Sequence, residues 1–291
     1  MVPAVTIVGP GRMGLALASA LLQTEAVGAL TVFGRRPEPP AHPLFTQGLA
    51  RYVFGMESLA PDTAAVFLAV PDEVVPEMAH TVAAQGPAPI GCAAFHLSAT
   101  LPTDSLAPLH HGGYAIGSFH PMQAVANSVS AADRIPGSYV AVVGSPEATA
   151  VARALTAALG SPMIAVPAGR RALFHAAIVL ASNYLPPLLD LSARLMERAG
   201  VSSEEALPAL IPLVRGTLES IEERGLAASV RGPLVTGDME TVALHMRAMD
   251  PEDRRLYATF GLELLRLLEG RLTEDDRQEL FEQFRMEQVN S

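Results

Sequence analysis

Lysine is absent from this 291-residue chain: all 20 of its basic residues are arginine. Schiff-base chemistry, an ammonium general acid and a lysine-dependent phosphate loop are therefore closed to it. Cysteine occurs once, as Cys92. A single thiol makes neither an internal disulfide nor a cysteine-based zinc site, which fits a reducing compartment, and its simplest role is that of a small buried hydrophobe. Positive charge is scarce too, since 20 basic against 30 acidic side chains leave a formal charge of -10. That balance gives nucleic acid or an anionic membrane little to hold. The longest apolar stretch, 176–189, is interrupted by Ser182, Asn183 and the Pro186-Pro187 pair, so it is expected to be too short to cross a bilayer. No basic segment precedes the first apolar run, as a signal peptide would require. Together these absences predict a cytoplasmic protein with neither nucleic acid nor membrane as a partner.

What is present is apolar and periodic. With 49% hydrophobic residues over this length, two domains are the default expectation. Short β-branched runs at 5–8, 30–33, 65–70, 93–97, 114–119, 139–143 and 163–166 alternate with helical patterns at 13–23, 73–84 and 146–159. This alternation predicts an α/β domain, a doubly wound parallel sheet, over 1–166. From 167 to 291 the period stays near 3.6, predicting an all-α domain with helices over 170–199, 203–224, 239–248, 251–269 and 273–286. The prolines at 186–187 and at 208 and 212 should kink or split their helices. Residues 288–291 are expected to fray.

Gly9-Pro10-Gly11-Arg12-Met13-Gly14 fits G-x-G-x-x-G, a weak signal alone. Here it follows the first strand and opens the first helix, where Gly9 makes a tight turn, Gly11 admits a pyrophosphate and Gly14 lets helix and strand approach. The helix start, Arg12 and Met13 included, would offer free N–H groups and partial positive charge to phosphates. At the end of the second strand, where NAD-type Rossmann domains place a carboxylate for the ribose, stands Gly34-Arg35-Arg36. Guanidinium groups there grip a 2′-phosphate through bidentate hydrogen bonds, so the cofactor predicted is NADP(H).

With this fingerprint, Phe67-Leu68-Ala69-Val70-Pro71-Asp72 at the fourth strand and a helical C-terminal part, the chain resembles the phosphogluconate dehydrogenase-like superfamily, which includes pyrroline-carboxylate reductase and ketopantoate reductase. It is more closely similar to a bacterial family that joins a Rossmann-like domain to a C-terminal domain of unknown function. The segments that carry this are 9–17, His96-Leu97-Ser98, 117–123, His175-Ala176-Ala177 with Ser182-Asn183, and Arg231-Gly232-Pro233 leading to Gly237-Asp238, Thr241-Val242 and His245. The sequence departs from the family at Ala99, where glycine is usual after the serine. The resemblance implies a nicotinamide-dependent reductase of a small oxo acid or imine.

Candidate chemistry falls at strand ends, where open α/β sheets bind ligands. Val70 and Pro71 would border the cofactor, and Ser98 and Gln123 offer donors and acceptors to a carboxylate or amide. His120, before Pro121, is biased toward an extended backbone that holds its ring in the cleft. On the following helix, at about 100° per residue, His175 and Ser182 lie about 20° apart and Asn183 about 80° away, so the three can share a face. In the relatives a lysine on this helix commonly protonates the new alkoxide. His175 occupies the similar place here, with Asn183 and Ser182 to orient the substrate. Asp238, Thr241 and His245 mark another helical face, in the same or a partner subunit, with Asp238 a candidate substrate ligand. A metal held by His175, Asp238 and His245 is the alternative use of these residues, but the spacing fits no metal motif and none is expected. Apolar density from Leu256 to Leu268 and on to Phe284 predicts a homodimer. The functions in play are an NADPH-dependent reductase of a ketopantoate-like 2-oxo acid, an imine reductase, and an NADPH-binding sensor or scaffold without turnover.

Overall fold

A computed structural model describes residues 2–289. The chain divides into two units, Met1–Ser182 and Asn183–Ser291.

In the first unit the β-branched runs become an eight-stranded sheet: β1 Val2–Val8, β2 Val27–Gly34, β3 Arg51–Phe54, β4 Thr63–Leu68, β5 Ala93–His96, β6 Ala115–Pro121, β7 Val140–Gly144 and β8 Met163–Ala165. Their order is β3-β2-β1-β4-β5-β6-β7-β8, which is the Rossmann order with two strands added. All neighbours are parallel except β6 and β7, which pair antiparallel from Gly117↔Gly144 to Pro121↔Val140. The doubly wound parallel sheet that was expected is present, with this one reversed pair. The cause of the reversal is the link between the two strands, which includes α5 (Ser128–Ala132) but returns the chain to the end of the sheet where β6 finished.

The other helices of this unit are α1 Arg12–Gln23, α2 Pro43–Thr46, α3 Val75–Ala83, α4 Ala107–His111, α6 Pro146–Ala158 and α7 Arg171–Ser182. Parallel strands covered on both faces read as unbroken apolar runs. Accordingly one face carries Phe67, Phe95 and Phe119 under α1, α5 and α6, and the other carries Val66 and Leu68 under α3 and α4. The three rings, on adjacent strands, sit 5.2 to 5.9 Å apart by centroid. Helix α7 was expected with the helical domain beginning at 167, yet it belongs to the sheet unit, where its one buried residue, Arg171, is anchored.

The second unit contains α8 Leu185–Arg198, α9 Ser203–Arg224, α10 Leu226–Ser229, α11 Pro233–Thr236, α12 Met239–Ala248, α13 Pro251–Leu267 and α14 Glu274–Val289. The helical stretch expected over 170–199 is split in two at its proline pair, one of the outcomes the prolines predicted. Pro186 and Pro187 have no N–H to give the carbonyls of Ser182 and Asn183, so α7 ends there and the prolines open α8. Pro208 and Pro212, by contrast, sit inside α9 without splitting it. Judged by length and composition alone, 171–198 is long and apolar enough to cross a membrane. In the structure it is a broken pair, and α8 carries Asp190, Arg194, Glu197 and Arg198. The core of the second unit gathers Leu234, Val242, Met246, Ala258, Leu265, Leu268, Leu280 and Phe284. At Gly261 a Cβ would lie 2.5 Å from the Phe284 ring, so the glycine sets how closely α13 and α14 approach. Asp253, almost fully buried, takes Arg198 at 2.7 Å and Arg194 at 3.7 Å. Of the tail expected to fray, Gln288 and Val289 continue α14, and the last two residues lie outside the described ones.

Candidate active site

The glycine loop joins β1 to α1 at the point where strand order reverses between β1 and β4. Its three glycines have different reasons to be glycine. Gly9 has φ +105°, and a Cβ on it would fall 2.6 Å from the Ala69 carbonyl oxygen. A Cβ on Gly14 would strike the Gly9 carbonyl and come within 2.9 Å of the Ala69 Cβ. Gly11 is under no such pressure: it is exposed, and a Cβ there would meet only Ala69 O, at an ordinary 3.7 Å. No side chain caps the α1 N-terminus behind it, and no acidic residue lies in its first turn. Arg12 is exposed and Met13 half-buried on that turn, while Val70 packs against Gly9 and Pro71 is exposed beyond it.

Arg35 and Arg36 follow β2 with both side chains exposed. Tyr52 of β3 lies so close over Gly34 that a Cβ there would collide with its phenol ring. Its hydroxyl donates to the Arg36 carbonyl oxygen at 2.7 Å, which ties the arginine loop to the edge strand.

A second group of side chains gathers past the ends of β4, β5 and β6. Ser98 Oγ donates to Asp72 Oδ2 at 2.6 Å and accepts from the amides of Thr100 and Leu101. Its hydroxyl is thus occupied in holding the loop. His120 Nδ1 lies 2.8 Å from the Leu97 carbonyl, which can only accept, so the proton sits on Nδ1 and Nε2 keeps its lone pair. Burial holds the His120 ring below the ordinary histidine range, against the Leu97 contact that raises it. His175, half-buried on α7, adds its charge to that lowering.

Of three further participants, Arg171 was not read from the sequence, while His96 and Asp72 were expected only to line the cleft at their strand ends. Arg171 is buried at 7% exposure and donates from Nη1 to Ser118 Oγ at 3.0 Å and from Nη2 to the Ser98 carbonyl at 3.2 Å. Desolvation lowers its pKa, and the Asp72 charge acts in the opposite sense. His96, fully buried at the end of β5, finds no partner for either ring nitrogen among the described residues, and burial drives its pKa down to about 4. Asp72 completes the set. Arg171 stands four residues before His175 on one helix, so the same 100° reckoning that grouped His175 with Ser182 would have found it. A small hollow is lined by Ser98, Ser118, His120, Arg171 and Phe174, with Val166 and neighbouring apolar residues as its floor. Gln123 lies just beyond β6, half-buried and outside that lining.

Ser182 is exposed at the last turn of α7. Asn183 begins the second unit beyond the helix break, so a face reckoned along an unbroken helix does not extend to it. In that unit Asp238 caps α12, accepting from the Thr241 amide at 3.0 Å and its hydroxyl at 2.7 Å, bonds that depress its pKa. His245 Nδ1 lies 3.0 Å from the Tyr257 hydroxyl. Among the described residues no three His, Cys, Asp or Glu side chains gather as a metal set. Cys92 is buried, its thiol pushed up to about 12, which makes it unreactive.

Residues 138–264 match the family model of a domain of unknown function, DUF2520. The match runs from the antiparallel edge of the sheet into α13. No curated protein matches the sequence. Among solved structures, a proposed NADP oxidoreductase from Bacteroides fragilis is similar over 90% of this chain and 96% of that one, at 19% identity and TM-score 0.66. A Thermotoga maritima protein aligns over 97% of this chain and 99% of its own, at 18% identity and TM-score 0.65. Plasmodium falciparum pyrroline carboxylate reductase, solved with NADP bound, aligns over 95% and 96%, at 12% identity and TM-score 0.61. These likenesses establish the Rossmann-type fold with its helical C-terminal region.

Proposed function

We propose that this chain is an NADPH-dependent reductase of a small 2-oxo acid, the ketopantoate-like class. The observation that carries the cofactor half is Gly11: the fold does not require a glycine there, whereas a pyrophosphate lying against the uncapped start of α1 would. Gly9, Gly11 and Gly14 with the Arg12 and Met13 turn would hold the phosphates, and Arg35 and Arg36 the 2′-phosphate. The solved reductase of the same fold with NADP bound supports this reading. When bound, NADPH supplies a hydride to the carbon of a C=O or C=N bond and leaves as NADP⁺, a proton completing the alcohol or amine. His175 is the residue we assign to deliver that proton, beside a His120 that is kept neutral. Titration of NADPH and NADH should give a ten- to hundredfold preference for NADPH, about the worth of one or two charged hydrogen bonds. Arg35→Ala/Arg36→Ala should erase it, and equal affinities in the unmodified protein would refute the assignment.

An imine substrate is the second reading, and the lowered pKa of His120 favours it, because a ring that sheds its proton has none to give and an iminium arrives already protonated. His175→Ala should cut kcat on a carbonyl by ~10² to 10⁴ and leave an imine largely unaffected. Equal losses on both would remove His175 from proton delivery; NADPH binding with no turnover of either class would point to a sensor.

We also infer a homodimer, on part of the stretch the sequence argument named and on surface beyond it. Leu265, Leu268 and Phe284 are spent on the second unit's own core. Apolar surface is also left over on α9, at Leu207, Ile211, Leu213 and Leu218, on α7, at Leu173 and Leu180, and on α13, at Leu256, Phe260 and Leu267.

A further inference from the structure

Arg171 is a cation nine-tenths buried that no described carboxylate pairs with. A guanidinium carries five N–H donors; its recorded partners are a serine hydroxyl and a backbone carbonyl, both uncharged. Its Nε is sealed from solvent and has no acceptor among the described residues. Buried charge without a counter-charge in contact is costly, and Asp72, whose charge reaches Arg171, makes no ion pair with it. The walls beside it are Ala99, Ala141, Val143, Val166 and Phe174, which solvate no charge. Ser118, itself 3% exposed, accepts from Arg171 and so keeps its own hydroxyl proton to give. Asp72, the nearby acid, is engaged by the Ser98 hydroxyl.

We propose that Arg171, with Ser118, is the anchor for the carboxylate of the substrate, and that the enzyme therefore selects oxo or imino compounds bearing a carboxylate over neutral ones of the same shape. The proposal rests on the reductase reading of the site and names what that site recognises. The hollow admits a group of about one water's size. A carboxylate oxygen fits this, with the rest of the substrate outside beside His120 and His175. A guanidinium holds its N–H donors fixed in one plane toward such an oxygen, an arrangement that lysine does not reproduce.

The test uses two dead-end probes of one shape, oxamate with a carboxylate and oxamide without, titrated calorimetrically into the full chain with and without NADPH. NADPH binding is read separately by its fluorescence. Oxamate should bind the unmodified protein, at least tenfold more weakly in Arg171→Met and to an intermediate degree in Arg171→Lys. Oxamide should bind weakly and alike in all three, and NADPH affinity should not change. If Arg171→Met does not fold, Arg171→Lys against the unmodified protein carries the comparison, since it keeps the charge and loses the fixed plane of donors. Undiminished oxamate binding in a folded variant, oxamide binding as well as oxamate, or a loss confined to NADPH would each overturn the anchor. Oxamate binding that depends on Arg171 in a protein that fails to bind NADPH would uphold the anchor and refute the reductase reading instead.

Discussion

In the sheet unit Phe67, Phe95 and Phe119 stand on adjacent strands, each fully buried and each against the others. In the helical unit, α9 alone leaves Leu207, Ile211, Leu213 and Leu218 exposed. The difference lies in how each architecture uses its apolar faces. A parallel sheet is covered on both sides by its own crossover helices and closes on itself. The helical unit builds a small core from α11 to α14, and α8 and α9 add little beyond Leu191 and Ala206. The sheet of the first unit is therefore covered within one chain, α7 apart, and its weak points are tight contacts. The second is where association with another copy should act.

The largest effect expected from breaking this contrast is at Gly14. Adding a methyl group there drives it into the Gly9 carbonyl and Ala69, backbone and core that cannot yield. Gly14→Ala should destabilise the sheet unit by about 3 kcal/mol or more, the upper end for overpacking. Hydrogen exchange should rise in β1 and β4 and stay unchanged in α13. Uniform exchange in both units would mean that they do not melt separately.

Next in size is an acid weakness of the sheet unit. The unfolded His96 takes a proton near its ordinary 6.5, while the folded one refuses it until about 4. The unfolded state thus binds more protons between those values, so stability is full above 6.5, falls as pH drops from 6.5 to 4, and is flat below. The loss is roughly 3 kcal/mol. Urea unfolding at pH 7 and pH 4.5 should reveal it, and His96→Leu should remove most of the difference. A slope that survives in that variant would assign it to other groups.

The smallest effect on folding, and the sharpest on assembly, belongs to α9. Leu213→Glu with Leu218→Glu, both exposed, should change stability of the isolated chain little. Light scattering at micromolar concentration should register a dimer for the unmodified protein and a monomer for the variant. A monomer in both would leave that surface without a partner.

What could be read in the sequence was local. Helices α9 and α12 begin and end where their period and caps predict, and the glycine loop falls between strand and helix as its spacing requires. Features set by distant partners were not legible. The edge strand β3 is short and half-exposed, with no strong alternation, and is defined by pairing to β2. The antiparallel entry of β7 depends on where a loop returns. Arg171 looks like any charge near a helix start until Ser118, 53 residues earlier, is found beneath it. Asn183 was grouped with His175 by an angle that two prolines cancel.

The glycine loop described earlier divides its residues into those that the architecture demands and one that a visitor demands. A descendant of this chain that ceased to bind nucleotide would still be held by selection to Gly9 and Gly14, because replacing either damages the fold itself. Gly11 would be released, since a Cβ there meets nothing closer than ordinary contact. Across homologues, then, the middle glycine is the position whose drift should separate members that have kept the ligand from those that retain only the scaffold, while the intact-looking flanking pair carries no such information.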